Sequence, residues 1–139
     1  MADDRRQRGV QKAMVEIDPH SKEGRARITR MVMRLFDLWE ISLEDQAALL
    51  GFSTIRPIKR YRNGASFPKK RELIIRAGEL FSIHKSLRVM FPRNRTVAYR
   101  WPTSPNAAFD GRSPVDYMRE HGFDGLVAVK QYLDFEGER

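Results

Sequence analysis

The stretch SLEDQAALLGFSTIRPIKRYRNG, residues 42–64, decides the fold. Ser42 is placed to cap a helix, with Asp45 three residues on to return a hydrogen bond to it. Leu43, Ala47 and Leu50 then share one helical face. Gly51 closes the helix, because glycine tolerates the left-handed backbone of a C-cap. Phe52 is expected to pin the turn to the core. Pro57 lacks an N–H, costs little in a first turn and breaks a helix interior. The second helix therefore starts at Arg56-Pro57, with Ser53 and Thr54 left in the turn. Ile58 and Tyr61 face inward, and Asn63-Gly64 stops the helix. Helix, glycine turn, basic helix is the helix-turn-helix pattern. The expected DNA-binding residues are Ser53, Thr54, Arg56, Lys59, Arg60 and Arg62, most of them against phosphate.

Outward from this unit, the chain reads as helical throughout. Ile28, Met31, Val32, Leu35, Phe36, Leu38 and Trp39 recur at three- and four-residue steps, predicting a helix over 25–41 that packs on the 42–64 unit. Residues 65–68 read as a linker turn, and 69–91 as a long amphipathic helix. Its stripe of Leu73, Ile74, Ala77, Leu80, Phe81, His84, Leu87 and Phe91, widened by Ile75 and Ile83, predicts contact with more than one layer, a second copy of the chain among the candidates. Residues 93–101 form a connector, and Pro102 to Asn106 a rigid loop. Ser113-Pro114 with Asp116 opens another helix, which Gly122 ends. A last helix follows over 125–135, then a short acidic tail. No alternation of β-branched residues suggests a sheet.

Composition narrows the function. The 139 residues carry 26 Lys and Arg against 18 Asp and Glu, a formal charge of +8, which favours a polyanionic partner such as nucleic acid. With no cysteine, disulfides and thiolate metal sites are excluded. Met1-Ala2-Asp3-Asp4-Arg5-Arg6 leads into polar sequence, so no secretory signal and no membrane span are expected, and the chain reads as cytoplasmic. His20, His84 and His121 are scattered and no phosphate loop or nucleophile–base pair is visible. No catalytic residue, metal or cofactor is therefore assigned.

The C-terminal third holds the most specific residues. Trp101, Pro105-Asn106, Phe109, Gly111-Arg112-Ser113-Pro114, Gly125-Leu126 and Tyr132-Leu133 stand in the order of a known signature. On them, and on the helix-turn-helix before them, the chain resembles the Xre/MbcA/ParS-like antitoxins over roughly residues 25–133. The resemblance implies an all-α protein with an Xre-like helix-turn-helix domain over 23–91 and a small toxin-binding domain over 92–139; the polar, charged stretch over 1–22 before them reads from its own residues as a flexible basic arm. It implies the antitoxin half of a type II toxin–antitoxin pair, blocking a RES-domain toxin that consumes NAD. It further implies a homodimer, a higher toxin–antitoxin complex, and repression of its own operon through operator DNA.

Within the family the last helix and tail lie against the toxin. Of these residues Tyr132, Glu136, Glu138 and Arg139, together with the exposed Arg112, are the expected contacts. Pro57 departs from the family pattern, and the arm, with Arg5, Arg6, Arg8 and Lys12, lies outside the resemblance. The alternative reading is a stand-alone repressor whose C-terminal part only dimerises or binds a ligand.

Overall fold

The computed structural model describes residues 18–138, so Arg5, Arg6, Arg8, Lys12 and Arg139 lie outside the described residues. Six α-helices and two 3-10 turns make up the fold, with no strand among the described residues. Helix α1, Lys22–Trp39, starts where the Ser21 hydroxyl accepts the Gly24 N–H at 3.0 Å. It ends at Glu40, whose left-handed φ of 54° turns the chain. Val32, Leu35, Phe36 and Trp39 are buried as the spacing predicts. Met31 is not: it is 49 % exposed, whereas Met33 is buried. The two flank the stripe on opposite sides, and only the Met33 side is covered.

Helices α2, Leu43–Leu49, and α3, Arg56–Arg62, follow with the expected boundaries. After them, residues 65–70 are more than a linker. Phe67 is fully buried and meets Tyr61 edge-on at 4.9 Å. Its N–H donates to the Thr29 hydroxyl at 2.8 Å, and its carbonyl accepts from Arg25 Nε at 3.0 Å. Burying a phenyl ring contributes about 1.5–3 kcal/mol, and here both backbone groups of the plug are also satisfied. The segment is thus riveted to α1.

Helix α4, Arg71–Met90, is the axis of the molecule. It packs on α1 along one side and on α6, Pro114–Gly137, along another. Its wide apolar surface is therefore used largely within one chain. Ile83 and Leu87 are buried, while Ile75 stays 41 % exposed. Helix α5, Arg95–Arg100, and the 3-10 turns Trp101–Thr103 and Ala107–Phe109 connect α4 to α6.

Helix α6 is two helices joined at Gly122, whose φ of 62° and ψ of −140° break the ladder where the sequence places a stop. Beyond the break the chain runs helically to Gly137, so the expected acidic tail is the last turn of α6. Leu126, Val129 and Leu133 join the same apolar cluster as Trp39, Ile58 and Leu80. The boundary expected between residues 91 and 92 is therefore not a break in packing.

Candidate functional site

The first candidate surface is the α2–α3 unit. The Ser42 hydroxyl caps α2, accepting the Asp45 N–H at 3.1 Å. The expected return bond from Asp45 is replaced: its carboxylate accepts instead from Arg119 of α6 at 2.7 Å. A cation offered from a packed helix outcompetes a single local N–H for that charge. Gly51 has the left-handed φ of 84° expected of it. Beneath it lies Arg76, only 8 % exposed, and a Cβ at position 51 would fall 2.9 Å from its Nε. Arg76 donates to the Leu49 carbonyl at the end of α2 and to Glu72, each at 3.3 Å. Phe52 donates its N–H to the Ala47 carbonyl at 2.8 Å and tilts its ring towards Tyr61.

On α3, Ile58 and Tyr61 face the core. Burial raises the Tyr61 pKa, with Arg60 opposing the shift. Ser53, Thr54, Arg56, Lys59 and Arg60 are all exposed, and Thr54, Arg56 and Lys59 line one shallow depression with Ile55. Arg62 stands apart from them. It donates to the Asp37 carboxylate of α1 at 2.6 Å and to the side-chain oxygen of Gln46 at 2.8 Å. Gln46 is itself buried and donates to the Ile41 carbonyl at 3.0 Å. Arg62 therefore ties α3 to α1 and α2, a structural role beside the phosphate contact expected of it. Spacing placed it off the apolar face, which says nothing about a carboxylate arriving from another helix.

The second candidate surface surrounds the loop before α6. Asn106 organises the loop. Its side chain accepts the Ala108 N–H at 2.9 Å, and its carbonyl accepts the N–H groups of Phe109 and Gly111, each at 3.0 Å. Asp110 and Gly111 both take positive φ, 58° and 78°, to reverse the chain. Ser113 caps α6 by accepting the Asp116 N–H at 3.1 Å, with Pro114 in the first turn.

These turns bring five rings together. Phe109 sits between Tyr117 at 5.0 Å and Tyr132 at 5.3 Å. Trp101 stacks on Tyr132 and meets Phe109 edge-on, both at 6.3 Å. His121 closes against Tyr117 at 4.3 Å.

Each expected contact residue then has a place. Tyr132 is half-buried in the ring cluster, and Arg112 is exposed but paired with Glu120. Glu136 is half-buried, and Glu138 caps α6 in the open. Sequence reasoning passed over Phe123 and Phe135, which stand 38 % and 59 % exposed on α6. Phe135 falls off the Leu126–Val129–Leu133 stripe, so its exposure could be read from spacing, whereas Phe123 continues that stripe by a three-residue step and spacing alone would bury it.

Among the described residues no group of three His, Cys, Asp or Glu side chains lies close enough to share an ion. His84 is packed flat on Tyr99 with ring centres 5.9 Å apart, and its buried Nδ1 has no partner. Burial first, and the neighbouring Arg88 second, lower its pKa from the usual 6.5. No described helix is long and apolar enough to cross a membrane.

The loop, its ring cluster and α6 coincide with a known domain. The family model for the antitoxin Xre/MbcA/ParS C-terminal toxin-binding domain matches residues 86–135. The chain belongs to the Xre/MbcA/ParS antitoxin family. The uncharacterized protein y4oB of Sinorhizobium fredii (strain NBRC 101917 / NGR234) is 32 % identical over 102 residues, spanning 73 % of this chain and 77 % of its own length. For this antitoxin the family sets a binding role in a toxin–antitoxin system, with a toxin as its protein partner. The match starts inside α4, in keeping with a toxin-binding domain that shares its core with the preceding helices.

Proposed function

We propose that this antitoxin neutralises a RES-domain, NAD-consuming toxin through α6 and the ring-cluster loop, and represses its own operon through α2 and α3. The toxin half of the proposal rests on the family match over residues 86–135. In that role the exposed Arg112 and Glu138, the edge of Tyr132, and Glu136 near the end of α6 meet the toxin, with Arg139 beyond the described residues. Acidic groups at the end of α6 suit a cleft whose basic side chains hold NAD phosphates. A two-fold operator calls for a homodimer, and toxin binding then builds a higher complex.

The operator half rests on Arg56, Lys59 and Arg60. These three exposed cations share one short, well-anchored helix, and no acidic side chain of the described residues pairs with them. Ser53 and Thr54 offer hydroxyls beside them. Phosphate contacts of this kind fix register, while few side chains remain to read bases.

The experiment is co-expression. The open reading frame beside this gene is induced in cells with and without the antitoxin, and growth and cellular NAD are followed. NAD collapse that the antitoxin reverses supports the reading. Arrested growth with NAD intact replaces the toxin class. A harmless neighbour moves the stand-alone repressor ahead.

A further inference from the structure

Helix α6 bonds the start of α2 directly and reaches its end through Arg76 of α4. At the start of α2, Arg119 Nη1 donates to Asp45 Oδ1 at 2.7 Å, between residues 74 positions apart. At its end, the Arg76 guanidinium lies 5.9 Å from the centre of the Phe123 ring while donating to the Leu49 carbonyl. Arg119 and Phe123 flank Gly122, the break in α6. Helix α2 has only seven residues, too few to hold its own orientation in water, so its tilt is set by what it packs against.

We infer that Arg119 and Asp45 are positioning residues for operator binding: α6, the helix that carries the toxin-binding domain, sets the tilt of the first helix of the DNA-reading pair. The inference rests on the operator reading above. Neither residue is needed as a DNA contact. Asp45 is acidic and would repel phosphate, so its value to DNA binding lies in the cation it holds. A partner that moves α6 is then felt at the operator through a packed helix rather than through a linker.

Charge and position predict opposite signs for one variant. Asp45→Asn removes a negative charge from a surface that meets DNA, so electrostatics alone predicts tighter binding. Loss of position predicts weaker binding. The test measures operator affinity by fluorescence anisotropy at several salt concentrations for the wild type, Asp45→Asn, Arg119→Gln and the double variant. A half-exposed ion pair transmits little, so each single change is expected to weaken binding about three- to fivefold. The double variant should be no worse than either single, because both remove the same contact. The salt slope should stay at the wild-type value, since no phosphate contact is lost.

Amide exchange of α2 is read on the same variants, and faster exchange there with an unchanged melting temperature is expected. Wild-type binding combined with an unmoved or tighter Asp45→Asn variant, or with additive losses, overturns the inference alone. A wild-type antitoxin that binds no operator overturns the operator reading and the inference together.

Discussion

The turn at Gly51 and the turn at Gly111 reverse the chain with the same backbone device and are held by opposite chemistry. Gly51 lies over a buried guanidinium that spends its hydrogen bonds on Glu72 and Leu49. Gly111 borders a loop anchored by Phe109 inside a group of aromatic rings. The first turn is held by directional bonds that tie the end of α2 to α4. The second is anchored mainly by apolar area, with an Asn106 loop holding its shape. A small protein thus orients one surface with hydrogen bonds and the other with rings, and the two should fail differently.

The largest effect is expected at the rings. Phe109 is buried against three aromatic neighbours, so Phe109→Ala should cost about 3–5 kcal/mol, the usual range for emptying such a site. The melting temperature should drop and toxin neutralisation should go with it. A melting curve close to wild type would show that the loop is held by Asn106 alone.

Next comes Arg62→Ala. It removes a pair with Asp37 and strands the buried Gln46 oxygen, for a cost of about 1–2 kcal/mol after allowing for solvent at the partly open side. Arg60→Ala sharpens the contrast from the same helix. It should leave the melting temperature unchanged, weaken operator binding, and lower the salt slope by about one. If the two arginines behave alike in both assays, the division between them is mistaken.

The smallest effect is the pH dependence set by His84. Its pKa is lowered on folding, so the folded chain holds fewer protons than the unfolded one between the two pKa values. Its contribution is complete above 6.5 and is lost as pH falls through the folded value. Melting followed from pH 7 to 5 should show a decline that His84→Gln flattens. An identical decline in the variant would place its origin in another group.

Much of the fold could be read before any coordinates. Ser42, Gly51, Pro57, Ser113-Pro114 and Gly122 act locally, and the helix limits follow from them. The errors concern residues whose state depends on another part of the chain. Asp45 reads by spacing as a local capping partner and Arg62 as facing water or a phosphate, and a partner from another helix claims each. Phe67 sits between Ser66 and Pro68, where no periodicity marks it, yet α1 supplies partners for both its backbone groups. Met31 and Met33 differ only in which flank the other helices cover. The ring cluster was legible as a family signature, and its assembly around Phe109 was not.

The contact between Arg119 and Asp45 also bears on the order of events during synthesis. Contacts between residues this far apart in sequence form late, because the intervening chain must first be closed into a loop. On a ribosome, α2 and α3 emerge long before the helix that steadies them. In the proposed operator role, α2 and α3 therefore reach their final geometry only once α6 has been made, and a half-finished chain is expected to be idle at the promoter.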